Sequence, residues 1–266
     1  ILEAYLEGVL WNERLTLTVG KIDATNYIDG NAYAGDSSTQ FLSGGLVNNG
    51  VLTAPGNGPG VRLGFSLIPG LVNLEAVAMS QDPEEDTNTT NRIFEHAFGA
   101  LEVGFTPKFL GRPGAYRFWG TLDGNGKRIR SRFGAAEDYT AMGAGISFDQ
   151  EVAKGLGLFF RLGYRDTGNT AYTTRTSWSM GGQLSVGNFW SGRPDDVIGL
   201  AYSQITPTKR DFGSRSTEEN FVESYYNWFF NDNFQLSGIV QFIDGRNGSM
   251  TLDDVTILGA RLQANF

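Results

Sequence analysis

Charged side chains recur on the polar parity of segments that otherwise alternate between apolar and small residues: Glu3, Glu7, Arg62, Glu75, Glu102, Arg117, Asp149, Arg161, Glu223 and Arg261. Trp119 and Tyr225 share that parity with Arg117 and Glu223. Arginine presents a planar fork of N–H donors and a carboxylate presents acceptors, so the two set opposite one another create a transverse field and can pair with hydroxyl groups. Aromatic faces stack on the C–H face of a pyranose ring. The mixture suits a sugar better than a bare ion. The same Arg–Glu pairs can also simply brace a wall, and both readings stand at this point.

Catalytic and metal chemistry finds less support. With no Cys and one His, the chain cannot build a disulfide scaffold, an iron–sulfur cluster, a thiolate zinc site or a site needing two His ligands. His96 falls in an alternating run at 93–106, in parity with Phe98, Ala100 and Glu102, but a general base needs a partner within hydrogen-bond reach and spacing supplies none. We therefore expect no catalytic residue, metal or cofactor. Asp82, Glu84, Glu85 and Asp86 could hold Ca²⁺ loosely or be solvated, and Lys127, Arg128, Arg130 and Arg132 could meet phosphates or solvent. Asp123-Gly124-Asn125-Gly126 reads as a turn without EF-hand spacing, and Gly56-x-Gly58-x-Gly60 has no helix after it to make a dinucleotide loop. A formal charge of −8 and a pI near 4.8 argue against a nucleic-acid partner.

The elements that must position these residues are strands. The 266 residues include 36 Gly, roughly twice average usage, and 13% aromatics. No apolar run approaches the roughly 20 residues of a membrane helix, and no secretory leader stands at Ile1. About 13 alternating runs follow one another: 2–10, 15–20, 60–67, 71–80, 93–106, 114–123, 140–150, 156–165, 175–187, 196–205, 219–230, 234–243 and 255–266. Short connections (Trp11–Glu13, Leu67–Leu71, Pro107–Pro113, Glu151–Gly155, Asn188–Asp195, Asn231–Asn233) strictly alternate with longer ones (24–59, 81–92, 124–139, 166–174, 206–218, 244–253). That rhythm belongs to an antiparallel transmembrane β-barrel, with tight turns on one side of the membrane and long loops on the other. In 156–165 the residues Leu156, Leu158, Phe160, Leu162 and Tyr164 alternate with Gly157, Phe159, Arg161, Gly163 and Arg165. The apolar sets end in Phe, Trp or Tyr, as an aromatic girdle would. A closed sheet also leaves no edge for lipid to meet.

The final strand ends at Phe266 with apolar residues at alternate positions before it, which resembles the signal read by the bacterial barrel-assembly machinery. An end on the periplasmic side makes the first strand begin outside, whereas single-chain barrels have even strand numbers. One or three strands are therefore expected upstream, for 14–16 in the complete protein, unless the count is off by one.

Several segments resemble the carbohydrate-selective porin (OprB-type) family. They are Gly20-Lys21-Ile22-Asp23, Asn26 to Tyr33, Gln40-Phe41-Leu42, Pro55 to Gly60, Leu156 to Gly163 and Asp196 to Ala201. Glu219 and Glu223 with Tyr225-Tyr226, then Gln241-Phe242-Ile243 and Gly259 to Phe266, complete the series. The likeness runs in order over essentially the whole chain. It departs where Gly238-Ile239 stand in place of the family's Pro-Asp, and the N-terminal third of the family's barrel has no counterpart here. The resemblance implies one outer-membrane barrel domain over 1–266 that passes monosaccharides through a constricted pore. It implies surroundings of lipid and lipopolysaccharide.

A charge facing lipid at mid-bilayer costs about 2–4 kcal/mol for Arg or Lys. The charged residues named first should therefore line the lumen, together with Trp119 and Tyr225. The 24–59 loop, far the longest, contains Asp23, Asp29, Asn31, Asp36, Gln40, Asn48 and Asn49 beside apolar Phe41, Leu42, Leu46 and Val47. Those apolar residues need a surface to bury against. Folding inward would narrow the pore, and the resemblance implies a constriction loop with Asp29, Asn31, Gln40 and Phe41 in it; a cap over the rim is the other possibility. The inward small residues Gly143, Gly145, Ser147, Ser177, Ser179 and Ser237 favour an open lumen. The expected function is passive diffusion of small neutral solutes, sugars first. A largely closed envelope barrel that binds a partner is the alternative. No patch identifies an interface, so a homo-oligomer or a larger envelope complex stays open.

Overall fold

The computed structural model describes residues 1–80, 94, 96–128, 137–166, 174–208, 218–245 and 253–265. The acidic cluster at Asp82–Asp86, Arg130, Arg132, the side chains of Lys127 and Arg128, and Phe266 lie outside the described residues.

The strands are β1 (Ala4–Leu10), β2 (Leu15–Ile22), β3 (Gly58–Ile68), β4 (Val72–Ser80), β5 (Ala97–Phe105), β6 (Lys108–Phe109) and β7 (Arg112–Arg128). There follow β8 (Glu137–Ala153), β9 (Leu156–Arg165), β10 (Thr174–Ser185), β11 (Val197–Pro207), β12 (Glu219–Asn231), β13 (Phe234–Asp244) and β14 (Val255–Ala264). They form a single antiparallel sheet in which neighbours in sequence are neighbours in space, with only β6 off the path, against β7. Among the described residues β1 and β14 do not pair with one another, so the sheet is open along that seam.

The thirteen strands of the main path correspond one to one with the thirteen alternating runs. The differences lie where glycine was read as a turn. β7 and β8 reach 17 residues each and take both ends, half in all, of the expected 124–139 loop. Gly124 and Gly126 instead mark a register shift between Asp123 and Gly126, the local irregularity that lets a ladder continue past residues with no side chain to pack. The expected turn at Pro107–Pro113 holds a two-residue strand: Lys108 and Phe109 pair back onto Pro113 and Arg112, with Leu110 and Gly111 in the left-handed region. β5 begins at Ala97, so His96 precedes the strand rather than standing in it.

Alternation along the strands is inside out relative to a water-soluble sheet. On β9 Arg161 is fully buried while Leu162 is 43% exposed, and Leu158, Phe160 and Tyr164 are exposed with it. Ser147, Ser203, Ser237 and Glu223 are likewise buried on β8, β11, β13 and β12, the strands where Met142, Leu200, Val240 and Val222 are exposed. A continuous apolar band of this extent is tolerated only where lipid covers it. Aromatic contacts sit at both ends of the band. Phe118 packs on Phe148 at 5.4 Å and Trp228 on Phe230 at 5.1 Å near the short turns, and Trp178 lies 5.0 Å from Tyr202 near the long connections.

The arrangement predicts that Leu162→Arg, which puts a cation in the band, destabilises protein refolded into lipid vesicles by about 2–4 kcal/mol. Denaturant titration in the vesicles measures this, and an unchanged midpoint would mean that Leu162 does not face lipid.

Candidate functional site

The polar face of the sheet is covered by the chain between β2 and β3. Asp23 starts this crossing by accepting hydrogen bonds from the Thr25 amide (2.8 Å) and hydroxyl (2.7 Å), which closes the short 3₁₀ turn Ala24–Asn26. Within the crossing the only other regular element among the described residues is the four-residue helix α1 (Gly44–Val47). The crossing must satisfy its own backbone groups without a ladder, and the wall side chains do that work.

Asp29 is the hub. Its φ of 64° puts it in the left-handed region, where Asp is one of the better-tolerated residues. Its carboxylate accepts from the Trp119 indole N–H at 2.9 Å and the Asn49 amide at 2.7 Å, and lies 3.1 Å from Arg161 Nε. Its amide donates to Glu102 (2.7 Å) and its carbonyl accepts from Arg161 (3.0 Å). Arg161 also donates to the carbonyls of Ala34 (2.9 Å) and Leu46 (2.6 Å). Burial pushes the Asp29 carboxyl up, while Arg161, the Asn49 amide and the Trp119 indole pull the other way.

The remaining anchors run across the wall. Asn31 donates to Ser147 and to the Phe148 carbonyl, each at 3.2 Å, and the Ala32 amide reaches Asp149 at 3.3 Å. Asp149 in turn pairs with Arg117 at 2.5 Å. Phe41 is fully buried against Phe159 (5.9 Å) and edge-on to Tyr225 (4.9 Å). Glu223 accepts from the amides of Leu42 (2.6 Å) and Ser43 (2.8 Å) just ahead of α1, and from Gln241 (3.0 Å). Arg261 donates to the carbonyls of Ser37 (2.6 Å) and Gln40 (3.0 Å). The Gln40 side chain ties the crossing to itself, donating to the Ala32 carbonyl and accepting from the Gly35 amide, both at 2.8 Å.

A second group lies on β1–β4. Arg62 makes a two-pronged pair with Glu75 (2.7 and 2.8 Å), faces Glu7 at 3.7 Å and stacks 4.9 Å from the Tyr27 ring. Thr18 donates to Glu7 (2.9 Å) and Asn26 to Glu3 (2.6 Å).

The sequence-derived residues thus fall on one face but in two groups: Glu102, Arg117, Trp119, Asp149, Arg161, Glu223, Tyr225 and Arg261 hold the crossing, while Glu3, Glu7, Arg62 and Glu75 stand mainly on the other wall. Sequence reasoning passed over several anchors. Arg165 donates to the Val51 carbonyl (2.6 Å) and to Thr53; Ser203 donates to the Gly45 carbonyl (3.0 Å) and Asn227 to that of Thr39 (2.6 Å). Parity marks all three as inward, the only signal available. Two further inward glycines receive the crossing chain. A Cβ on Gly157 would lie 2.0 Å from the Tyr33 ring, and one on Gly163 would lie 2.3 Å from Asn49 and Val51. They seat the crossing chain rather than widen the space.

An inside-out antiparallel sheet whose polar face is traversed by a long internal segment defines an outer-membrane β-barrel channel. Residues 1–266 match the family described as carbohydrate-selective porin, OprB family, and the chain belongs to that family and to the bacterial outer membrane. An uncharacterized protein of Aquifex aeolicus (strain VF5) is 24% identical over the whole chain and 69% of its own length. The fold is shared with Pseudomonas putida OprB in its high-pH structure (15% identity, TM-score 0.79, 98% of this chain and 72% of that one). It is shared also with the outer-membrane channel DcaP of Acinetobacter baumannii (13% identity, TM-score 0.54, 98% and 82%).

Two outcomes follow. Arg161→Ala leaves a buried carboxylate without its cation and should destabilise the protein by about 3–5 kcal/mol. It should also open 24–57 to limited proteolysis; a resistant segment and an unchanged unfolding midpoint would show that the pair does not hold it. The second outcome concerns acid. Burial alone would raise the Asp36 carboxyl, but hydrogen bonds from Ser38 and Thr39 and the Arg261 charge hold it below its usual 3.8. A carboxyl more acidic in the folded state contributes stability above its unfolded value and loses it as pH falls through the lowered one. Asp36→Asn should therefore flatten the acid limb of thermal unfolding between about pH 5 and pH 2.

Proposed function

We propose that this channel passes small neutral sugars by passive diffusion, with the 24–57 segment folded into the lumen as its constriction. The observation that carries the reading is the anchoring of that segment to the polar face through the buried Asp29–Arg161 pair. A segment held in this way narrows the pore without depending on lipid, partner or cofactor. Asp29, Asn31, Gln40 and Phe41 then shape the constriction by fixing its path, and Glu102, Trp119, Asp149, Arg161, Glu223, Tyr225 and Arg261 act by positioning it. Glu3, Glu7, Arg62 and Glu75, with the Tyr27 ring and the outer edge of Arg117, offer solute the acceptors, donors and aromatic face that sugar hydroxyls and C–H groups use.

One observation favours the closed-barrel alternative. Ile28, Phe41, Leu46 and Val51 of the crossing are fully buried, so the segment fills part of the interior with a small core of its own.

Planar-bilayer conductance of the purified protein, with glucose and then a larger oligosaccharide added, separates these readings. The expected result is steady channels blocked saturably by glucose. Channels indifferent to sugar would leave a general porin, and folded protein that opens no channel would establish the closed barrel.

A further inference from the structure

We propose that the β1–β4 wall sets the charge preference of the channel, so that neutral sugars and cations pass in preference to anionic sugars of the same size. The proposal rests on the channel reading above and names its substrate class more narrowly.

Both charge signs face the lumen, but the structure deploys them unequally. Arg161 and Arg165 are buried and turned onto carbonyls of the crossing segment. Arg117 is bracketed by Asp149 at 2.5 Å and Glu102 at 3.9 Å. Arg261 is directed into the Ser37 and Gln40 carbonyls. On the β1–β4 wall Arg62 is 15% exposed, lies 4.9 Å from the Tyr27 ring and is engaged by Glu75 through two N–H groups.

The carboxylates there are more accessible. The Glu75 side chain is 21% exposed, and that of Glu7, on the edge strand β1 at the open seam, is 42% exposed. The contact to Glu3 comes from Asn26, a neutral donor. Three carboxylates thus stand against one guanidinium, and that guanidinium is the least exposed of the ion-paired set on this wall.

Low-dielectric walls focus such a surplus into the aqueous path. Wherever the aqueous path is narrower than one Debye length, roughly 8 Å at physiological salt, screening does not erase the field. Carboxylate rings are the common device for cation preference in pores. A sugar acid or sugar phosphate would enter against this field and find each nearby arginine already paired. A neutral sugar meets carboxylate acceptors for its hydroxyls and the Tyr27 ring for its C–H face, and loses nothing to the field.

The test is the reversal potential of single channels of the full-length protein under a tenfold KCl gradient, followed by liposome swelling with glucose and with gluconate. The potassium-to-chloride permeability ratio should exceed 1, by about threefold or more for a potential of the order of kT. Glucose should enter faster than gluconate. Glu3→Gln/Glu7→Gln, which leaves the Arg62–Glu75 pair intact, should move the ratio toward 1 and narrow the glucose–gluconate difference; heat-modifiable gel mobility confirms that the variant is folded. Steady channels with a ratio at or below 1, or a ratio unmoved by the double substitution, overturn the charge assignment and leave the channel reading standing. Folded protein without channels overturns both.

Discussion

The buried pair between Asp29 and Arg161 is the interaction on which the interior depends. Removing two charges from water costs several kcal/mol each, and only good geometry with every remaining polar atom engaged offsets that cost. Here the carboxylate draws on an indole, an amide and a guanidinium, and the same guanidinium reaches carbonyls of Ala34 and Leu46. One arginine therefore gathers three separate stretches of the crossing onto one point of β9. The register of everything between those points follows.

A segment of this length without a ladder of its own has a backbone-satisfaction problem, and the polar face of the sheet has the complementary one. Lipid on the outer face forces polar side chains inward, where they need partners that water in a narrow space supplies poorly. The crossing chain and the wall resolve each other: serines, Asn227, Arg165 and Arg261 donate to its carbonyls, and Glu102, Asp149 and Glu223 accept from its amides. Glu223 illustrates the economy. Fully buried, it is compensated by two amides and a side-chain amide rather than by an arginine.

This division gives the two walls different roles. Where the crossing lies, inward charges are structural and set its path. On β1–β4, which the crossing touches only through its first residues and a few apolar contacts with β4, the ion-paired cluster around Arg62 keeps solvent-accessible oxygens.

Strand number, order and facing were legible in the sequence because a strand's side-chain period is local: each residue's face is decided by its immediate neighbours and by the cost of a charge in lipid. The runs at 156–165 and 255–266 show their lipid face without reference to any other strand. The two-residue strand at Lys108–Phe109 and the continuation of β7 past Gly124 were not legible, because glycine serves turns and ladder irregularities alike. Only the tertiary structure decided which inward groups hold the crossing and which remain accessible. Those bonds join residues as far apart as Arg161 and Asp29, 132 positions, or Arg261 and Ser37, 224 positions. Gly157 and Gly163 make the same point, since parity gives only their face and the structure makes them the seats of Tyr33, Asn49 and Val51. Parity can place a residue on a face, but which segment arrives opposite it depends on the path of a long connection, and no local pattern encodes that path.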